Sequence, residues 1–232
     1  MLVEGLMCSP LLAHLKPEVM KSLAAQCHLR TVVDDEVLCH QHDNAQSLWL
    51  VLDGWVKLTR ETLDGGDVVW DVLGMGHLVG LETLAGQPQH STRVQAVGPG
   101  SVIVLPLAAL KNLLEKDMGF TRALLTHALD QQQQDRLEME HRSQQTAPQR
   151  IGCFLLKLAG APTQGALDVV LPFDKGLLAA RLGMQPETFS RALAKLKQET
   201  GLRLQGARVH MEDVHVLHVY TCGGCSGSYP CK

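Results

Sequence analysis

The sequence predicts an α+β chain: an N-terminal double-stranded β-roll or barrel, one long helix, and a C-terminal winged helix-turn-helix. Three observations carry this. Apolar residues alternate with a period of two through much of residues 29–105. That pattern then gives way to residues 117–146, which hold no Pro and no Gly after Gly119. Finally, two short helical patterns flank Gly183 between Asp174 and Thr200.

Taken in order, residues 9–26 read as a turn and an amphipathic helix, with Pro17 placed for a helix start. In the strand region Leu48, Leu50 and Leu52 alternate with Trp49 and Val51, and Val56 and Leu58 with Lys57 and Thr59. Gly54 is expected to separate those two runs, Asp64-Gly65-Gly66 the next pair and Gly98-Pro99-Gly100 the last. Residues 107–116 predict a short helix. The following long helix would span roughly 45 Å, more than one small domain needs, so a symmetric copy of itself is the expected partner. Its best heptad track is Leu125, Leu129, Gln132, Arg136, Met139 and Ser143, a polar seam. After Pro148, Ile151, Phe154, Leu155 and Leu158 share a helix face, and residues 164–172 contain a strand candidate. The expected division is 1–116 for the β-roll, 117–147 for the long dimerisation helix, 148–220 for the winged domain and 221–232 for a Cys-rich tail.

Composition sets limits on function. The 232 residues are 45% hydrophobic and 19% charged, as in globular proteins. An acidic Glu4 stands where a signal peptide needs positive charge, no stretch reads as a membrane span, and seven cysteines fit a reducing compartment. A cytoplasmic protein is expected, without a membrane partner. No nucleophile triad, P-loop or carboxylate pair suggests an enzyme. Residues 1–149 carry 11 Lys/Arg against 18 Asp/Glu, hence −7, and residues 150–232 carry 10 against 6, hence +4. The second part is the one suited to phosphates.

That part holds the most informative stretch. Leu177, Leu178 and Leu182 form one apolar face, Gly183 supplies the tight turn, and Pro186 opens a helix that buries Phe189, Leu193 and Leu196. Glu187, Ser190 and Arg191 lie off this stripe, with Lys195 one turn on. Any two-helix corner shows such a leucine pattern, but it does not require Glu, Ser and Arg on the exposed first turns. Arg can bind guanine O6 and N7 bidentately, and Glu can accept from cytosine N4. The hairpin expected around Gln205-Gly206 would be the wing.

The segment Pro186-Glu-Thr-Phe-Ser-Arg-Ala-Leu-Ala-Lys-Leu resembles the recognition helix of the cyclic-AMP-receptor/fumarate-nitrate-regulator superfamily. Upstream, Leu52-Asp-Gly-Trp-Val-Lys-Leu and Leu63-Asp-Gly-Gly-Asp-Val-Val-Trp-Asp-Val-Leu resemble its cyclic-nucleotide-binding-like roll, so the resemblance covers roughly residues 9–218. It implies a homodimeric transcription factor on a palindromic operator in double-stranded DNA, with RNA polymerase as a further partner. The Glu-x-x-Ser-Arg pattern resembles the fumarate-nitrate and nitrate-respiration branches. It implies Arg191 on guanine, Glu187 on the opposite cytosine and Ser190 against thymine of a TTGAT half-site, with Thr188 and Lys195 completing the DNA-binding set. Pro186 stands where the catabolite-activator branch has another arginine.

The resemblance also bears on the effector. Where cyclic-nucleotide binders carry a phosphate arginine this chain has His90, and the ribose glutamate falls on Leu81, or on Glu82 in a shifted register. Cys8, Cys27 and Cys39 are too far apart in sequence for an iron–sulfur cluster of that family's kind. This leaves haem or another metal, responding to a redox-active molecule such as nitric oxide, with His14, His77 and His90 as candidate ligands. The tail departs from the family: Cys222, Cys225 and Cys231 with His218 would suit a zinc or iron–sulfur site, a redox dithiol, or no function. The alternative to a regulator is a small-molecule or metal-binding barrel protein without a DNA role.

Overall fold

A computed structural model describes residues 2–223. They fall into two compact units, one running to Asp130 and the other from Gln131. No helix among them is long and apolar enough to cross a membrane.

The first unit opens with two short helices, α1 (Leu2–Met7) and α2 (Pro17–Ala24), of which only the second was foreseen. Six strands follow: β1 (His28–Val32), β2 (Val37–Cys39), β3 (Ser47–Glu61), β4 (Asp67–Leu73), β5 (Leu78–Val79) and β6 (Arg93–Pro106). They form one antiparallel sheet with the path β1-β6-β3-β4, in which β2 pairs with β6 and β5 with β3. Between β5 and β6 lies a 3₁₀ turn, Leu81–Ala85.

Both faces of the central strands are buried, which explains why their alternation is apolar with apolar. Leu48, Leu50, Ile103 and Leu105 face one cluster with Leu12, Leu23, Leu110 and Phe120. Trp49, Val51, Val102 and Val104 face the other, with Val32, Val56 and Val94. Leu50 is fully buried. Truncating such a side chain to Ala typically costs about 2–5 kcal/mol.

Two glycine positions correct the strand count. Gly54 and Gly98-Pro99-Gly100 do not end strands; β3 and β6 run through them, and their pairing register shifts between Val51, Asp53 and Trp55. Gly54 has φ +79°, and a Cβ there would lie 2.9 Å from the Pro99 carbonyl oxygen. A Cβ on Gly100 would collide with the Asp53 carbonyl oxygen. The glycines therefore permit a close crossing of two backbones at a bulge, where each long strand changes partners. The Asp64-Gly65-Gly66 turn, by contrast, does join β3 to β4.

Helices α3 (Leu107–Lys116) and α4 (Met118–Gln144) follow. The Asp117 carboxylate accepts from the Phe120 amide at 2.9 Å and so starts α4. Phe120 is buried in the first unit's core, whereas Leu125, Leu129 and Met139 are exposed. All six heptad positions, including Gln132, Arg136 and Ser143, face solvent.

The second unit adds α5 (Ala147–Leu158), β7 (Leu167–Val170), α6 (Lys175–Arg181), α7 (Pro186–Thr200), β8 (Arg203–Gln205), β9 (Arg208–Met211) and α8 (Val214–Cys222). Its sheet has the order β7-β9-β8. The core joins Ile151 and Leu155 of α5, Leu178 of α6, Phe189, Leu193 and Leu196 of α7, Val209 and Met211 of the wing, and Leu217 of α8.

Candidate nucleic-acid interface

The recognition corner is built from short-range chemistry. The Asp174 carboxylate caps α6 by accepting from the Leu177 amide at 2.9 Å. After Leu182, Gly183 takes φ +63°, a left-handed turn with no Cβ to strain. Pro186 sits in the first turn of α7, where its missing N–H is not needed, and Gly201 at φ +74° ends that helix. Burial of Phe189, Leu193 and Leu196 then decides which face of α7 points away from the core.

That outward face carries Glu187, Ser190, Arg191 and Lys195, all exposed, with Thr188 half-buried beside them. Neither Glu187 nor Arg191 is engaged by another described residue. A guanidinium without an internal carboxylate keeps its whole donor fork for an outside acceptor. Lys195 differs, because its ammonium lies 3.9 Å from the Glu199 carboxylate one turn on. The wing hairpin turns at Gly206, φ +59°, between β8 and β9.

Two basic residues were not anticipated as contributors to this corner. Arg181 of α6 forms a two-pronged ion pair with Glu138 of α4, at 2.9 and 3.1 Å. Burial pushes the Glu138 carboxyl pKa up, but Arg181, with Lys157 and Arg142, brings it below its ordinary value. Arg150 of α5 donates to the Leu182 carbonyl at 3.2 Å, tying down the turn between α6 and α7. Both contacts join residues more than 30 positions apart, so no local pattern announces them.

The sensor candidates are not brought together. His14 is exposed in the turn before α2, and His77 is exposed with Nδ1 3.0 Å from the Gly74 carbonyl. His90 is 3% exposed, tilted against Trp49 with ring centroids 5.1 Å apart. Its Nδ1 has no hydrogen-bond partner among the described residues. Burial lowers its pKa, while Glu82 and Asp43 act in the opposite direction. Beside it, the Glu82 carboxylate accepts from the Ser91 hydroxyl at 3.2 Å and the Ser91 amide at 3.4 Å. An acid thus holds the Ser91 donors that an anion would otherwise take.

Burial raises the Cys27 thiol to about 11 and the Cys39 thiol to about 12, so both remain protonated and unreactive. Among the described residues, no three His, Cys, Asp or Glu side chains converge to hold a metal ion. Cys222 and His218 belong to α8; Cys225 and Cys231 lie outside the described residues.

Residues 29–117 match the cyclic nucleotide-binding domain family, and residues 149–220 the Crp-like helix-turn-helix domain family. The chain is similar to the cyclic AMP receptor protein of Thermus thermophilus, 29% identical over 218 residues, covering 93% of this chain and 98% of that protein. It also resembles the transcriptional activator protein Anr of Pseudomonas protegens, 25% identical over 201 residues, covering 85% of this chain and 82% of Anr. A solved structure from Ruegeria pomeroyi, described as that of a candidate cyclic nucleotide binding protein, is 30% identical. It has a TM-score of 0.69, with 94% of this chain and 96% of that chain covered. With both domains in this order and relatives matched along nearly their whole length, the chain belongs to the CRP/FNR family of DNA-binding transcriptional regulators.

Proposed function

We propose that this regulator reads an inverted repeat of TTGAT-type half-sites as a homodimer, through α7, and acts in the cytoplasm with RNA polymerase. The observation that carries the reading is the Glu187–Ser190–Arg191 face, exposed on the first turns of α7 with Arg191 unengaged by any other described residue. Arg191 would take guanine O6 and N7, Glu187 the paired cytosine N4 and Ser190 a thymine, while Thr188 and Lys195 hold phosphates. The homodimer is supported by the exposed row along α4, in which Leu125, Leu129 and Met139 are all more than half exposed. A two-fold protein matches a two-fold operator.

The test is selection from randomised duplex DNA. The expected product is two TTGAT-type half-sites in inverted repeat, roughly one helical turn apart. Enrichment of an unrelated or unrepeated sequence would contradict the reading, as would sedimentation of a monomer on the selected operator.

For the effector, the reading is a haem-linked or other metal-linked redox centre responding to a molecule such as nitric oxide. Its support is the acid-filled cradle around Ser91 and the unpartnered imidazole nitrogen of His90. His90 is the preferred ligand over the exposed His14 and His77. Anaerobically purified protein should carry a chromophore that His90→Ala removes. Tight cyclic AMP binding with a matching gain in operator affinity would overturn this part alone.

A further inference from the structure

The outward stripe of α7 continues past the residues assigned to bases. Glu187, Arg191, Lys195 and Glu199 follow one another at intervals of four on one side of the helix, and all are exposed. Glu199 closes this row with the wrong sign for a phosphate. Its two carboxylate oxygens have different partners: Oε2 accepts from the Tyr220 hydroxyl of α8 at 2.5 Å, whereas Oε1 lies 3.9 Å from the Lys195 ammonium. The first contact is a short, charge-assisted hydrogen bond, and the second is a loose ion pair in solvent. The carboxylate is thus committed to α8, and Lys195 is held only at the limit of contact.

Tyr220 is itself fixed. Its ring packs against the core of the second unit, and its carbonyl accepts from Gln149 of α5 at 3.2 Å. Gln149 is held in turn, because its Oε1 accepts from the Thr146 amide and the Thr146 hydroxyl, both at 2.9 Å. Gly152 of α5 lets the neighbouring Thr221 approach so closely that a Cβ there would collide with its hydroxyl. Burial, with Glu199 alongside, raises the Tyr220 phenol to about 12, so at neutral pH it stays protonated and donates.

We propose that Tyr220 is a positioning residue for DNA binding: it draws Glu199 toward α8 and so leaves Lys195 for a phosphate. Without the phenol hydroxyl, the carboxylate is released to close on the ammonium one turn away, and it then competes with DNA for that charge. Tyr220 touches no DNA in this scheme and acts only through Glu199. Phosphate contacts carry no base information, so the effect falls on all sequences alike and leaves the base preferences of Arg191 as they are. This role rests on the DNA-reading function proposed for α7, with Lys195 on a phosphate.

The experiment measures the affinity of the full chain for the TTGAT inverted repeat and for one unrelated duplex across a series of salt concentrations. Lys195→Ala sets the scale, with an expected loss of about 0.9 in the slope of log affinity against log salt. Tyr220→Phe keeps the ring and the net charge, and should lose at least about half of that slope on both duplexes. Glu199→Gln should bind both duplexes at least as tightly as wild type. Adding Tyr220→Phe to Glu199→Gln, or to Lys195→Ala, should then change nothing further. Tyr220→Phe with the wild-type slope would overturn the role while the phosphate contact of Lys195 stands. So would a loss that persists in the Glu199→Gln background, which marks a general loosening of α8. If Lys195→Ala itself keeps the wild-type slope, the phosphate contact fails and the role of Tyr220 falls with it.

Discussion

Replacing Arg181 by Ala removes the fork that ties α6 to the C-terminal half of α4, and its cost can be worked from the structure. The Arg181 side chain is 18% exposed and that of Glu138 35%. Exposed ion pairs are worth about 0–1 kcal/mol, whereas breaking a buried one costs about 3–5 kcal/mol. With two hydrogen bonds in a partly wet site, the loss should be about 1–2 kcal/mol at neutral pH. The sign of the pH dependence follows from the lowered Glu138 carboxyl. The pair's contribution is fully present above the ordinary carboxylate pKa of about 4.3 and is lost as pH falls through the lower folded value. The gap between wild type and Arg181→Ala should therefore be widest near neutrality and close on acidification. All three tryptophans, Trp49, Trp55 and Trp70, belong to the first unit. Chemical unfolding followed by helical circular dichroism should register the loss, while the tryptophan fluorescence transition stays in place. A variant as stable as wild type at neutral pH, or a gap that widens in acid, would refute the reasoning.

Gly100→Ala should destabilise the first unit by about 1–3 kcal/mol, because the new Cβ meets the rigid Asp53 carbonyl and Gly54. Gly98→Ala has open space but φ +75° and should cost about 1–2 kcal/mol, from backbone strain alone; denaturant midpoints by tryptophan fluorescence compare the two. His90 is held neutral by burial, so its folded pKa lies below the unfolded value of about 6.5. Stability read at Trp49 should be retained above that pH and decline below it, and His90→Gln should flatten the decline; an unchanged slope would exclude His90 as the cause. Lys195→Ala should weaken binding to all DNA sequences alike and reduce the salt dependence by about one phosphate. Titrations at several ionic strengths check this, and a base-specific loss would count against it.

What was legible in the sequence was local. Gly183, Pro186 and the Phe189–Leu193–Leu196 spacing specify the turn and the inner face of α7 through nearby residues alone. The same holds for α3 and for the turn at Asp64-Gly65-Gly66. Misreadings arose where distant chain segments decide the outcome. Gly54 and Gly100 look like turn residues until β3 and β6 are laid together, when they become the place where two backbones cross. The Glu138–Arg181 and Arg150–Leu182 contacts left no periodic trace, since each is one residue meeting another far along the chain. Helix α1 was missed for a related reason: six residues are too few for a periodic signal, and the core stabilises them through Leu6. The sensor was least legible, because a buried His90 and an acid on Ser91 are properties of packing, not of spacing.

The central claim, that α7 reads bases through Arg191, is tested most directly by equilibrium binding of wild type and Arg191→Ala. The DNA panel is the TTGAT inverted repeat and duplexes with each half-site base replaced in turn, at one fixed ionic strength. Wild type should lose about 1–3 kcal/mol, roughly 5- to 150-fold in affinity, when the guanine is replaced. Arg191→Ala should bind the intact site more weakly and no longer distinguish that position, while keeping its preferences elsewhere. If Arg191→Ala ranks all the duplexes as wild type does, Arg191 is not the guanine reader and the account of the interface fails.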